Sequence, residues 1–196
     1  MDVTRQAILD ATQKVLRDNG YSGLSTRDVA LAAGVPLSQI HYHFSSKQGL
    51  VVAMFEHQNA QLLHRQQEMY GDLSTPISAQ WERACDYFDE DLKSGYVRTL
   101  MELWAAGWSD PDLARVVRDS IGGWMDLLTG VARRAEKELG SLDPFTPDDI
   151  SALVGAAFIG GEAYLLLDLE SKRIPVRRAL RRVGEAIRKF EKARKK

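Results

Sequence analysis

Apolar residues recur at intervals of three and four along nearly the whole chain, and no long segment alternates strictly between apolar and polar residues. This period is typical of amphipathic helices. Clusters that contain glycine, proline or asparagine interrupt the pattern and mark turns. The sequence therefore predicts an all-α protein with about nine helices, near residues 2–19, 26–33, 37–43, 47–70, 76–93, 96–107, 110–139, 146–170 and 174–194.

The segment from residue 25 to residue 44 has the pattern of two short helices joined by a tight turn. Ser25 and Asp28 have the spacing of a capping box at the start of the first helix. Gly34 is suited to end that helix in a left-handed conformation, and Pro36 suits the first turn of the next helix. The pattern predicts a helix-turn-helix.

The second short helix has an apolar side and a polar side. Ile40 and Phe44 lie four residues apart and are expected to face the core. The residues left on the outward side are Leu37, Ser38, Gln39, His41 and Tyr42. Small hydroxyl and amide groups are suited to reading base edges in the major groove, so this side is a candidate DNA-reading surface.

The first helix also has one apolar side, formed by Ala7, Ile8, Ala11, Val15 and Leu16. Packed on the two short helices, it would give a three-helix head of about fifty residues. A core of that size is marginal alone, so we expect the head to pack against the fourth helix and the body that follows. The sequence thus predicts a head at residues 1–50 and a larger helical body at residues 51–196.

Charge is distributed unevenly along the 196 residues, although the net charge is only −1. Residues 51–170 are strongly acidic, and residues 171–196 are strongly basic. A basic tail is compatible with binding to nucleic acid or an anionic membrane, but we favour a solvated helix face beside the acidic middle.

Cys85, the single cysteine, cannot form an internal disulfide, and the chain start has no secretory pattern, so we expect a cytoplasmic protein.

The head resembles the TetR family of bacterial transcriptional regulators. The residues that carry the resemblance are Thr26, Val29, Ala30, Ala33, Gly34, Val35, Ile40, Tyr42, His43, Phe44, Lys47 and Leu50. The resemblance implies a homodimer that binds double-stranded, palindromic operator DNA, usually as a repressor, and releases it when a small molecule enters the C-terminal domain. It also implies that residues 51–196 bind this effector and form the dimer, and that no cofactor is needed.

The resemblance assigns roles to individual residues of the head. Thr26 and Lys47 resemble contacts to the DNA backbone at helix starts, which favour phosphates. Tyr42 and His43 would also lie toward the DNA backbone. Arg27 lies where some members reach a base. Leu37, Ser38, Gln39 and His41 would occupy the exposed side of the recognition helix. His41, Ser38 and Pro36 depart from residues that are common in the family.

Large, adaptable side chains are clustered in the middle of the chain. They are Tyr87, Phe88, Met101, Trp104, Trp108, Trp124, Met125 and Leu128. Each one alone is typical of a packed core, but three tryptophans within residues 104–124 favour a pocket for an apolar or amphipathic effector. Glu162 joins this candidate pocket, because a buried carboxylate needs an arginine or a cationic ligand.

The last two predicted helices are candidates for the dimer interface. The helix near residues 146–170 is apolar nearly all round and so must be covered on both sides. The small residues Gly155, Ala156, Gly160 and Gly161 would let a symmetry mate approach it closely. Glu162 and Asp168 argue against a membrane span. The helix near residues 174–194 carries one predicted apolar seam, formed by Val176, Leu180, Val183, Ile187 and Phe190.

Other functional classes have weaker support. His41 and His43 are two apart on a helix and diverge by about 200°, and His57 and His64 lack a further ligand at a suitable spacing, so we expect no metal site. We also find no phosphate-binding loop, nucleophile elbow or pair of catalytic acids, and therefore expect no enzyme. The alternatives are a small-molecule sensor without a regulatory DNA target and, more distantly, a catalytic bundle.

Overall fold

A computed structural model describes residues 3–194, and within this range it contains nine α-helices and no strand. The helices are α1 (Val3–Gly23), α2 (Thr26–Ala33), α3 (Leu37–Phe44), α4 (Lys47–Gly71), α5 (Ile77–Ser94), α6 (Tyr96–Gly107), α7 (Pro111–Leu139), α8 (Pro147–Leu166) and α9 (Val176–Arg194). The predicted all-α class is confirmed. Residue 2, where the first helix was predicted to begin, lies outside the described range.

Two predicted helix ends differ from the structure. The break expected at Asn19 and Gly20 is a kink inside α1, where Gly20 has φ 72° and ψ 173° and a last short turn continues to Gly23. The predicted end of the eighth helix at residue 170 is too late. Its regular part ends at Leu166, and Asp168 then adopts a positive φ of 53°.

The chain forms two compact units that share two long helices. Unit 1 comprises the residues up to 62 and residues 94–120, and unit 2 comprises residues 63–93 and those from 121 onwards. Helices α4 and α7 each contribute one part to each unit. These packing units do not establish which residues bind DNA or effector, so the functional boundary at residue 50 stays a prediction.

In unit 1, α6 extends the packing of the small head. The backbone N–H of Tyr21 donates to the carboxylate of Glu102 on α6. Arg98 Nη1 donates to the backbone oxygen of Arg17 at 2.9 Å, and its Nε donates to Glu102 at 3.0 Å. The last residues of α1 are therefore held by side chains that come from more than seventy positions later in the sequence.

Unit 2 is built around an aromatic core. The ring of Phe158 on α8 meets the rings of Trp81, Phe88 and Trp124 edge to face, at centroid distances of 5.6, 5.7 and 6.2 Å. Trp81 Nε1 donates to the backbone oxygen of Leu180 at 2.7 Å and so links α5 to α9. This packing fixes the inward side of α8.

One row of the basic helix α9 pairs with acidic residues of α5. Arg177 Nε lies 2.7 Å from Asp89, and Arg181 lies 3.1 Å from Glu82 and 2.9 Å from Asp86. Arg177 and Arg181 thus agree with the interpretation of the basic tail as a helix face beside the acidic middle. Arg178 and Arg182 are exposed and lie outside this row.

The predicted single seam on α9 is wrong, because its residues lie on two different sides. Leu180 is 7% exposed and faces unit 2, together with the partly buried Val176 and Ile187. Val183 and Phe190 are 42% and 64% exposed. With the exposed Ala179 and Ala186 they form a second row, at spacings of four, three and four, which we call the outer row of α9.

Helix α8 likewise has an inward and an outward side, and its glycines are divided between them. A Cβ on Gly155 would meet Met125 Sδ at 2.7 Å, and one on Gly161 would meet Val176 Cγ1 at 2.8 Å. These two glycines serve packing within unit 2, so the prediction that they receive a symmetry mate is wrong. Gly160 has open space instead.

The outward side of α8 is apolar. It carries Ala156, which is exposed, Leu153 at 56% and Tyr164 at 48% exposure. Within the described residues α8 is the helix with the length and composition of a membrane span, and 22% of its apolar window is buried. A helix covered by another subunit has the same composition.

Candidate functional site

The turn between α2 and α3 is fixed by hydrogen bonds at both ends of α2. The Ser25 hydroxyl accepts from the N–H of Asp28 at 3.1 Å and donates to its carboxylate at 2.6 Å. Gly34 has φ 66° and ψ 31°, and its N–H bonds to the oxygen of Leu31 while that of Val35 bonds to Ala30. This pair of bonds is a Schellman motif, which needs a residue that tolerates positive φ.

Helix α3 has the two sides that the sequence predicts. Ile40 is fully buried and Phe44 is 6% exposed, so these two residues anchor the helix in unit 1. Ser38 and His41 are exposed, and Tyr42 is 81% exposed. The outward side is therefore free of the unit's own core, which a helix that enters a major groove requires.

The turn from α3 to α4 contains features that the sequence analysis missed. Ser45 adopts a positive φ of 62°, and the Ser46 hydroxyl accepts from the N–H of Gly49 at 3.0 Å. A Cβ on Gly49 would lie 2.4 Å from the backbone oxygen of Phe44. The spacing of Ser46 and Gly49 is that of an N-cap, and this pattern in the sequence could have revealed the cap of α4.

The nine predicted DNA contacts all lie on α2, α3 and the start of α4. The exposed ones are Arg27, Ser38, His41 and Tyr42, and the partly buried ones are Thr26, Leu37, Gln39, His43 and Lys47. Lys47 Nζ lies 4.9 Å from the ring centroid of Tyr21 and 3.4 Å from the backbone oxygen of Ser22. The ammonium group is thus positioned by residues at the end of α1, which the sequence did not reveal.

The predicted effector residues fall into both units. Met101, Trp104 and Trp108 belong to unit 1, and Tyr87, Phe88, Trp124, Met125, Leu128 and Glu162 belong to unit 2. Trp108 is 81% exposed because α6 ends at Gly107 and the chain turns before Asp110 and Pro111. Trp108 therefore lies on the surface.

Unit 2 contains an apolar cleft of about 80 Å³. Its lining residues are Tyr70, Ile77, Trp81, Leu128, Val131, Ala132, Ala135, Ile150, Ser151, Val154 and Ile187. Leu128 is the residue that this lining shares with the predicted pocket. The Ser151 hydroxyl is engaged by Thr129 at 2.8 Å and by the backbone oxygen of Asp148 at 3.1 Å. The cleft therefore offers hydrocarbon surface to a small apolar group.

Tyr87, another predicted pocket residue, is packed between two guanidinium groups. The Cζ atoms of Arg65 and Arg83 lie 4.1 and 4.4 Å from its ring centroid. Arg65 also forms an ion pair with Asp91 at 2.5 Å. Tyr87 is therefore part of a charged, cation–π surface rather than of the lining of the apolar cleft.

Glu162 lies on the inward side of α8, one turn beyond Phe158. The sequence led us to expect an arginine or a cationic ligand beside Glu162, and within residues 3–194 Glu162 forms no ion pair, while Arg65 pairs with Asp91. Burial, and secondarily the charge of Asp91, raises the pKa of Glu162 to about 8. Burial also raises the pKa of Asp91 to about 6, against the attraction of Arg65. Protonation thus lowers the cost of burying Glu162.

Within residues 3–194, α2 and α3 form a helix-turn-helix whose first helix is capped at both ends, which is the arrangement found in the helix-turn-helix class of DNA-binding proteins. Residues 8–54 match the sequence profile described as bacterial regulatory proteins, tetR family. The transcriptional regulator UidR of Escherichia coli K12 is 22% identical over 175 residues, which are 86% of this chain and 83% of that protein.

Two further comparisons agree with that match. The fatty acid metabolism regulator protein of Bacillus subtilis is 30% identical over 132 residues, 63% of either chain. The crystal structure of the regulator FadR from Bacillus subtilis with stearoyl-CoA superposes with a TM-score of 0.75 at 15% identity, covering 91% of this chain and 96% of that one. Over residues 8–54 in sequence, and over most of the chain in fold, the protein is similar to TetR-family transcriptional regulators.

Proposed function

We propose that this regulator is a dimeric repressor that binds a palindromic operator through α2, α3 and the start of α4. The observation that carries the proposal is the outward side of α3, which the buried Ile40 and Phe44 hold in place. Arg27, Leu37, Ser38, Gln39 and His41 would read bases, while Thr26, Tyr42, His43 and Lys47 would bind phosphates.

The dimer would form through the outward sides of α8 and α9. Leu153, Tyr164, Val183 and Phe190 expose apolar surface there, and such contiguous surface is typical of an interface. A two-fold dimer would present two recognition helices one turn of DNA apart, about 34 to 36 Å. A dimer would thereby bind two half-sites at once, whereas a single head would bind one half-site weakly.

The effector would be a small apolar or amphipathic molecule that binds in unit 2. The apolar cleft supports this class, and the FadR structure named above contains stearoyl-CoA, a ligand with an apolar chain. Glu162, which is not part of the cleft lining, would bind a polar group of the effector. A coupling of about 1 to 3 kcal/mol between effector and operator suffices for regulation. We place the working protein in the bacterial cytoplasm, where operator DNA is accessible.

Operator selection tests the proposal. Genomic fragments from the source bacterium are incubated with the full-length protein at about 0.15 M salt, and the retained fragments are sequenced. The proposal expects a shared palindrome upstream of a small set of genes. Fragments without a common palindrome would support the sensor without a DNA target instead. A variant with Gln39→Ala and His41→Ala is the matched control, and it should lose enrichment of the palindrome while keeping its helical circular dichroism spectrum.

A further inference from the structure

Side chains of α6 bond to two backbone groups on either side of the kink in α1. In a regular helix the N–H of Tyr21 would bond to the backbone oxygen of Arg17, four residues earlier. The kink at Gly20 lies between these two groups. The carboxylate of Glu102 accepts from the N–H of Tyr21, and Arg98 Nη1 donates to the oxygen of Arg17 at 2.9 Å. Both backbone groups therefore have a partner on α6.

Glu102 is held closely against the kink. Arg98, one turn earlier on α6, donates through Nε to the Glu102 carboxylate at 3.0 Å and so orients it. A Cβ on Gly20 would lie 3.3 Å from both carboxylate oxygens, so a side chain at position 20 would crowd them. Hydrogen bonds to an ionised group are stronger than bonds between neutral groups. Glu102 thus fixes the backbone where the last turn of α1 begins.

This last turn of α1 in turn holds the side chain of Lys47. The Nζ atom of Lys47 lies 4.9 Å from the ring centroid of Tyr21 and 3.4 Å from the backbone oxygen of Ser22. An aromatic face and a carbonyl oxygen both attract an ammonium group. Tyr21 therefore connects two contacts, because its N–H bonds to Glu102 and its ring faces Lys47.

The backbone at the start of α4 is fixed by other contacts. Gln48 Nε2 donates to Oδ2 of Asp110 at 3.1 Å, and the Ser46 hydroxyl accepts from the N–H of Gly49 at 3.0 Å. Neither bond includes the last turn of α1. Loss of the Glu102 bond would therefore change the surroundings of the Lys47 ammonium group without releasing the start of α4.

We propose that Glu102 is a positioning residue for binding to the DNA backbone, and that it acts through Tyr21 on Lys47. The inference rests on the phosphate contact proposed above for Lys47. A lysine side chain that is already ordered loses less conformational entropy when it binds a phosphate. Without the Glu102 bond, the last turn of α1 no longer orders Lys47, and the phosphate contact weakens.

The charge of Glu102 alone predicts an effect of the opposite sign. Removing a negative charge raises the attraction of a protein surface for DNA. A loss of DNA affinity on removal of Glu102 therefore indicates positioning, whereas a gain indicates only the change of charge.

Binding to a duplex of mixed sequence, about 30 base pairs long, tests the proposal, because phosphate contacts do not depend on sequence. Fluorescence anisotropy is measured between about 50 and 200 mM salt. Glu102→Ala should weaken binding about three- to tenfold. Glu102→Gln should bind at least about threefold more tightly than Glu102→Ala, because its amide oxygen can still accept from the N–H of Tyr21.

A double-mutant cycle shows whether Glu102 acts through Lys47. Lys47→Ala should lower the salt slope by about one, and Glu102→Ala should lower it by no more than that. In the Lys47→Ala background, Glu102→Ala should cause no further loss of affinity, since the side chain that it positions is gone.

Thr99→Ala is the matched control for stability. Thr99 is 1% exposed on the same helix, and its hydroxyl bonds within α6 to the oxygen of Gly95 at 3.1 Å. This variant should lower Tm but leave the affinity for the duplex unchanged. Unchanged or raised affinity with Glu102→Ala, an equal loss with Thr99→Ala or Glu102→Gln, or the same loss in the Lys47→Ala background would overturn the positioning role. A wild-type salt slope in Lys47→Ala would refute the phosphate contact of Lys47 itself, and this inference with it.

Discussion

At the scale of single residues, Arg27 and Lys47 differ in the freedom of their side chains. Arg27 is exposed on the first turn of α2, whereas Lys47 is positioned by Tyr21 and Ser22 at the start of α4. Arg27→Ala should therefore reduce the preference for the operator, at a cost of about 1 to 3 kcal/mol on the cognate site. Lys47→Ala should weaken operator and random duplexes alike and lower the salt slope by about one.

Fluorescence anisotropy titrations with operator and scrambled duplexes, at four salt concentrations, measure both effects. Lys93→Ala, an exposed lysine of unit 2, is the control and should change neither quantity. If Arg27→Ala and Lys47→Ala lower the two affinities by the same factor, Arg27 does not read bases.

Glu162 predicts a pH dependence of stability whose sign follows from its raised pKa. Between its ordinary value of 4.5 and about 8, the unfolded chain loses the proton while the folded protein keeps it. The contribution of Glu162 to the stability of the folded protein is thus fully present below pH 4.5 and is lost as the pH rises to about 8. Glu162→Gln removes this loss. The Tm of the variant minus the Tm of the wild type should therefore be larger at pH 8 than at pH 5, by about 5 °C.

Thermal unfolding followed by circular dichroism at pH 5, 6, 7 and 8 gives that difference. The exposed Glu185→Gln is the control, and its Tm should follow the wild type throughout. Parallel curves for the wild type and Glu162→Gln would mean that Glu162 ionises normally in the folded protein.

Gly49 shows how a single backbone approach fixes the entry into α4. Alanine at this position would place its Cβ 2.4 Å from the Phe44 backbone oxygen, so the turn must shift. We expect Gly49→Ala to cost about 1 to 3 kcal/mol and to lower operator affinity with it. Gly71→Ala, in the same helix with nothing within 4 Å, is the matched control in chemical denaturation. Equal midpoints for the two variants would refute the steric role.

At the scale of elements, the sequence predicted helix positions better than helix surroundings. Caps and breaks are local, so Ser25, Gly34 and Pro111 located their helix ends correctly. The period of α9 could not separate its two apolar rows, because a row that packs on its own unit and an exposed apolar row have the same spacing. The glycines of α8 were ambiguous for the same reason.

The outer row of α9 yields a prediction that distinguishes dimerisation from folding. Val183→Asp with Phe190→Asp places charges on exposed positions, so the monomer should keep its helical spectrum while the dimer dissociates. Leu180→Ala removes a buried side chain and should instead destabilise the unit by about 2 to 5 kcal/mol. Sedimentation equilibrium and thermal unfolding separate the two. A Val183 and Phe190 double variant that remains dimeric would remove α9 from the interface.

At the scale of the whole molecule, packing between segments that are distant in the sequence could not be predicted from the sequence. Residues 94–120 pack with the head in unit 1, through contacts such as Arg98 with Arg17, and no local pattern signals them. The cleft in unit 2 shares only Leu128 with the predicted effector residues, for a related reason. Aromatic residues such as Phe88 and Phe158 contact each other and fill the core, while smaller residues such as Ala132 and Val154 leave the space.

The proposed two-fold dimer predicts how operator affinity depends on the spacing of the half-sites. Inserting five base pairs between them rotates one by about half a turn, since B-DNA repeats every 10 to 10.5 base pairs. A dimer with fixed heads should then bind only one half-site and lose most of its specific affinity. The Val183→Asp and Phe190→Asp variant should bind the intact and the spaced operator with the same weak affinity, because each of its heads binds alone. Anisotropy titrations of both proteins with both duplexes measure these affinities. Equal affinity of the wild type for the intact and the spaced operator would exclude a rigid arrangement of two heads.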